Sequence, residues 1–187
     1  MYRWRNLTPE QREAELAFRK LQKRPNHSPR HHADGKGLYL ITSTCYEHQP
    51  LIGRSDERMD AFSVELVSVM NANADRLDAW VVLPNHYHAV VLASSCSKLL
   101  RALGQLHGRT SFAWNGEDDA RGRKVWFNAL DRAIRGDAHH IAYVHYVHHN
   151  PVKHRYTEKW TDWPWSSAGD WLMQNSREAA EKQWKEY

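Results

Sequence analysis

Two histidines stand one residue apart in the stretch Leu83-Pro-Asn-His-Tyr-His-Ala-Val-Val91. In an extended chain, side chains at i and i+2 point to the same face, so His86 and His88 stand side by side while Tyr87 points away. Two aligned imidazoles can hold a divalent metal. The plainer alternative is a polar strand edge with hydrogen-bonded or solvated imidazoles, and the pair alone leaves both open. A second cluster is Ile141-Ala-Tyr-Val-His-Tyr-Val-His-His-Asn-Pro-Val-Lys153. At helical spacing Tyr146 and Asn150 share one face, so a phenol and a carboxamide project together. Tyr143 is on this side one turn earlier, but its i+4 partner is Val147, which can ligate nothing. Structural roles are open here too: Tyr146 as an amphipathic core residue, Asn150 as a helix terminus, and His145, His148 and His149 as a solvated face. Combined, a His-x-His pair and a helix offering a tyrosine with a third ligand one turn later suit metal-assisted attack of a phenol on a phosphodiester.

The elements that must position these groups can be read from periodicity and punctuation. Thr8-Pro9-Glu10-Gln11 combines an N-cap, a first-turn proline and a capping-box glutamine, which predicts a charged helix through about Lys23. Residues 24–37, rich in Pro, His, Asn, Asp and Gly, read as a linker. Leu38–Tyr46 alternates and is rich in β-branched and aromatic residues, a strand. Met59, Phe62, Leu66, Val69 and Met70 recur at helical spacing behind Ser55 as N-cap, predicting a helix from Ser55 to about Leu77 that packs on a sheet. Asp78–Leu83 and Tyr87–Leu92 flank the turn dipeptide Pro84-Asn85, an antiparallel hairpin. Ser95 to about Phe112 reads as a helix with Leu99, Leu103 and Leu106 on one face, Lys124–Asp131 as a short strand, and about Asp137 to Asn150 as the last core helix, stopped by Pro151. The order βαββαβα predicts an α+β, ferredoxin-like or RRM-like sandwich: an antiparallel sheet with helices on one face, plus an N-terminal helical extension.

With both clusters and this order in place, the chain resembles the single-tyrosine HUH-type transposases, and within them the REP-associated tyrosine transposases and their relatives. The resemblance is carried by Trp80-Val-Val-Leu-Pro-Asn-His-Tyr-His-Ala-Val-Val91, by Tyr143-Val-His-Tyr-Val-His-His-Asn-Pro-Val-Lys-His154 and by Asp162-Trp-Pro-Trp-Ser-Ser167. It implies that His86 and His88 bind a catalytic Mg²⁺ or Mn²⁺, with Asn150 in the place of the third ligand. It implies Tyr146 as the nucleophile, forming a 5′-phosphotyrosine and freeing a 3′-hydroxyl. The substrate it implies is single-stranded DNA, cleaved at hairpin-like repeats. The domains expected are 1–37 as helical extension and linker, 38–175 as the transposase-like catalytic domain and 176–187 as a C-terminal tail. The chain departs from the family's pattern in Tyr87, where a plain aliphatic or similar hydrophobic residue is usual. A catalytically silent nucleic-acid-binding protein of the same fold is the alternative.

A single-strand nuclease needs positive charge along a groove and aromatic faces for unstacked bases. Lys98, Arg101 and Arg109 on the second core helix, Arg123 and Lys124 after it, and Lys153, His154 and Arg155 behind the last helix are the candidate DNA contacts. Composition is compatible: the net charge is +4, with 13 histidines that add charge below neutral pH. At 187 residues the chain suits one main domain with extensions, active as a monomer or a homodimer. No apolar run approaches a membrane span, and Cys45 and Cys96 lack CxxC spacing, so the expectation is a cytoplasmic protein with plain buried thiols. Trp163 and Trp165 are expected to pack a C-terminal turn against the sheet.

Overall fold

The computed structural model describes residues 8–21 and 35–175. The chain divides into two units, Met1–His32 and Ala33–Tyr187. In the first, the described element is α1 (Pro9–Leu21). Its capping box forms: the Gln11 N–H donates to Thr8 Oγ1 at 3.3 Å, and the Thr8 N–H donates to Gln11 Oε1 at 2.9 Å. The expected end of this helix at Lys23, most of the linker, and the tail from residue 176 onward lie outside the described residues.

The second unit runs β1 (Gly37–Thr44), α2 (Asp56–Asn73), β2 (Arg76–Leu83), β3 (His86–Ala93), α3 (Cys96–Glu117), β4 (Leu130–Ile134), α4 (Asp137–Lys153) and α5 (Ala168–Gln174). The four strands form one antiparallel sheet in the order β2-β3-β1-β4, the ferredoxin-like arrangement. Ser55 caps α2, accepting the Arg58 N–H at 3.2 Å, and Ser95 caps α3 in the same way through Lys98. Pro84-Asn85 closes the β2–β3 hairpin.

The helices expected on one face are divided between two. Strand residues Tyr39, Ile41, Val82, Tyr87, Ala89 and Val91 face α2 and α3, whose Phe62, Leu66, Leu99, Leu103 and Leu106 complete a core sealed by Trp114 and Trp126. Each large side chain buried there stabilises by roughly 1.5–3 kcal/mol. The opposite parity, Leu40, Ala79, Val81, Leu83 and Val90, packs with Val144 and Val147 of α4. The physical reason is in the strands: Ala79–Leu83 and Ala89–Val91 are apolar without alternation, so both faces must be covered. α2 and α3 cover one side as expected, and α4 rests on the other, chiefly over β2 and β3.

Other boundaries also differ. The predicted strand at 124–131 is represented by an isolated bridge, Cys45 with Trp126, and the regular strand forms later, at Leu130–Ile134. α3 continues past Phe112 to Glu117 because Trp114 is still a core residue. α4 continues past Asn150 to Lys153 with Pro151 inside its last turn, where a proline interrupts only one backbone bond. Along the outer edge of β2 lies the Trp-Pro-Trp-Ser-Ser segment. The Val82 N–H donates to the Trp165 carbonyl (2.8 Å), the Ser167 N–H to the Trp80 carbonyl (3.0 Å), and the Trp163 indole to the Val82 carbonyl (2.8 Å). The indole of Trp165 donates to Asp60 Oδ1 of α2 at 2.7 Å.

Candidate functional site

The pleat of β3 turns His86 and His88 toward α4 and sends Tyr87 into the opposite core, where its hydroxyl meets His107 Nε2 at 3.1 Å. The rings of His86 and His88 stand 5.0 Å apart, edge to face. From α4, Asn150 brings Oδ1 to 3.3 Å from His86 Nε2, and the Tyr146 hydroxyl lies 3.4 Å from His88 Nε2. The structure thus brings together His86, His88, Tyr146 and Asn150, all from one chain. His86, His88 and Asn150 are buried, and Tyr146 is half-buried.

Each imidazole is held by its other nitrogen. His86 Nδ1 lies 2.6 Å from Asn85 Oδ1, and the Asn85 amide is oriented by donation from Nδ2 to the His48 carbonyl at 3.0 Å. A carboxamide oxygen only accepts, and one faces each nitrogen; the much shorter contact, 2.6 Å against 3.3 Å, favours the proton on Nδ1, the tautomer that leaves Nε2 with its lone pair. His88 Nδ1 bonds Thr42 Oγ1 at 2.7 Å, across the β1–β3 register. Burial pulls His86 down to about 4 and His88 to about 3, the latter helped by the neighbouring imidazoles and Lys153. At neutral pH both rings are therefore uncharged, the state in which imidazole ligates metals.

The residues pass one test of fit to a cation. The lone pair of His86 Nε2 faces the Asn150 carboxamide oxygen, whose nitrogen reaches back to the Tyr146 carbonyl at 3.5 Å. In that tautomer the two acceptor atoms stand 3.3 Å apart, about the separation of neighbouring ligands around one ion at 2.0–2.2 Å. Among the described residues no three His, Cys, Asp or Glu side chains form a group that could hold a metal. A cation here would rest on two imidazole nitrogens and an amide oxygen, with its other positions open.

The expected DNA contacts separate in space. Lys153 and His154 belong to the site: the Lys153 ammonium sits 5.0 Å over the Tyr146 ring, and the His154 ring is 5.0 Å from that of His86. Arg155 follows, exposed and with a positive φ of 62°. Lys98, Arg101 and Arg109 are exposed on α3, beyond the sheet from Tyr146, and Arg109 reaches Glu65 at 3.5 Å. Arg123 is bound to Asp118 (2.7 Å) and Asn115 (3.0 Å). Lys124 lies over the rings of Tyr46 and Phe127. Sequence reading missed Asn85 and Thr42. Asn85 was visible only as a turn residue, and Thr42 gained its role from a strand register that no local signal announces.

Neither a scan of protein-family models nor a search of curated proteins returns a match. Among solved structures the chain is similar to a REP-associated tyrosine transposase bound to a REP hairpin. The TM-score is 0.57 and the identity 21%, over 76% of this chain and 82% of that one. At that identity the likeness is one of fold.

Proposed function

We propose that this protein is a metal-dependent endonuclease and strand transferase for single-stranded DNA, a transposase of the REP-associated tyrosine kind. One observation carries the reading: a phenol, two imidazoles and an amide oxygen converge in one corner, with His86 Nε2 3.3 Å from Asn150 Oδ1 and the Tyr146 hydroxyl 3.4 Å from His88 Nε2. Tyr146 Oη attacks the scissile phosphorus, the bond to the 3′-oxygen breaks, and a 5′-phosphotyrosine and a free 3′-hydroxyl result. The phenol gives up its proton, and the departing oxygen gains one from solvent. His86, His88 and Asn150 would hold Mg²⁺ or Mn²⁺, which would neutralise charge on the phosphate oxygens. Lys153 adds a fixed positive charge beside the phenol. The phosphodiester energy is retained in the phosphotyrosine, so rejoining needs no nucleotide cofactor. One chain supplies all four groups, which supports a site built within a single protomer.

The fold neighbour's hairpin supports a hairpin-bearing single strand as the substrate. The test is incubation of the protein with labelled hairpin single-stranded DNA and Mn²⁺ or Mg²⁺. A covalent protein–DNA adduct is expected, and it should vanish in Tyr146→Phe. An adduct that survives this change would reject Tyr146 as the nucleophile. Binding with no cleavage under either metal would leave the silent nucleic-acid-binding reading in its place.

A further inference from the structure

One turn before Tyr146 on the same face of α4 is Tyr143, and its hydroxyl accepts a hydrogen bond from Arg132 Nη1 at 3.2 Å. Arg132 belongs to β4, and the register identifies its face. It stands opposite Leu40, a residue of the α4-side core, and two residues from Leu130, which stands opposite the Thr42 that holds His88. Arg132 is exposed, and among the described residues no carboxylate lies within ion-pair range of it. Its partner is a neutral phenol. Arg54, Arg58, Arg76, Arg109 and Arg123 each meet an Asp or Glu. Among the described residues Arg101, Arg121, Arg135 and Arg155 meet none either, but of the unpaired guanidiniums Arg132 is the one bonded to a side chain of α4.

Chemistry follows from the direction of that bond. Tyr143 Oη accepts from the guanidinium, so its own O–H is free to donate elsewhere, and Arg132 keeps N–H donors in a planar fork. A charged fork beside a phenolic donor matches the oxygens of a phosphodiester. Along α4, Tyr143, Tyr146, Asn150 and Lys153 form one stripe about 15 Å long, the length of ten residues of helix. Arg132 with Tyr143 marks one end and Lys153 the other, and Tyr146 lies between.

We propose that Arg132 and Tyr143 form a binding subsite for a backbone phosphate neighbouring the scissile one, so that this stripe of α4 is the track of the single strand. The proposal rests on the reading that Tyr146 attacks a phosphodiester, and names two residues that reading does not use. The test is fluorescence anisotropy of a labelled hairpin oligonucleotide across a salt series without divalent metal, paired with the adduct assay. Arg132→Ala should weaken binding about tenfold and flatten the salt slope by about 0.7, the increment for one contact to a single strand. Arg132→Lys should keep the slope. Tyr143→Phe should lower affinity a few-fold with the slope unchanged. Replacing single phosphates by uncharged methylphosphonates should reveal one linkage near the cut site that matters to the unaltered protein and not to Arg132→Ala. Affinity and slope unchanged in Arg132→Ala, or no linkage whose effect that change removes, would overturn the subsite. If the adduct still depends on Tyr146 in that case, the function proposed above stands and this inference alone falls; if the unaltered protein neither binds a single strand nor forms an adduct, both fall.

Discussion

Asn85 decides which nitrogen of His86 carries the proton. Its amide is fixed by the His48 carbonyl, so its oxygen takes the Nδ1 proton and Nε2 is presented to the site as a lone pair. Partners of this kind typically change metal affinity by about 10- to 100-fold when removed. Asn85→Ala should therefore weaken Mn²⁺ binding by about that factor in a calorimetric titration, and Thr42→Val should do the same through His88. Undiminished affinity in Asn85→Ala would mean that the turn does not set the tautomer. Tyr87 is the counter-case: it lies between the two histidines in sequence but points to the other core, bonded to His107. Removing its hydroxyl in Tyr87→Phe leaves His107 Nε2 without its partner and should cost about 1–3 kcal/mol in urea unfolding. The Mn²⁺ affinity should stay as it was.

α4 is tied to the β2 edge by polar bonds as well as by its valines. His148, fully buried, bonds Ser167 Oγ at 2.9 Å, and that oxygen accepts the Trp80 N–H, also at 2.9 Å. Nearer the start of α4, His140 Nε2 meets Asp78 Oδ2 at 2.7 Å. Ser167→Ala strips Trp80 N–H and His148 of a partner at once. It should cost about 1–3 kcal/mol and raise the hydrogen-exchange rate of the Trp80 amide above that of the strand interior. An unaltered Trp80 exchange rate would show that Ser167 is not the link. The elements themselves were largely readable. The Ser55 cap, helical apolar spacing and the Pro84-Asn85 turn located α2, α3, β2 and β3, because these signals are local. The facing of His86 and His88 was readable for the same reason, since parity along a strand is local. What escaped depends on distant partners. The side of the sheet that α4 chooses follows from the summed apolarity of both strand faces. β4 pairs with Leu38–Thr42 of β1, while Val125–Phe127 bonds only at and just beyond that strand's end, a division that depends on the register of the sheet.

Acid is where the whole molecule should be weakest. Burial holds His86 and His107 down to about 4 and His88 and His148 down to about 3. Below their ordinary 6.5, the unfolded chain takes up protons that these folded imidazoles refuse. The stabilisation is thus fully present above pH 6.5 and is lost as the pH falls toward 4 and 3. For one imidazole as buried as His107 the loss is on the order of 3 kcal/mol. Asp118 acts in the same direction at lower pH, since hydrogen bonds from Arg58, then Arg123, hold its carboxyl well below the usual carboxylate range. Urea midpoints should fall steeply from pH 6.5 to 4 and be nearly level from 6.5 to 8. A level profile through the acid range would contradict the buried, neutral imidazoles.

The strip from Trp163 to Ser167 has a consequence outside the site. By bonding along Trp80 and Val82 it occupies backbone groups that a border strand would otherwise offer to another molecule. At the far border, β4 is only five residues long and carries Asp131 and Arg132. One side of the sheet is plugged and the other is short and charged, so the protein gives a neighbouring copy little to build on, and crowding should not drive it into stacked fibrils.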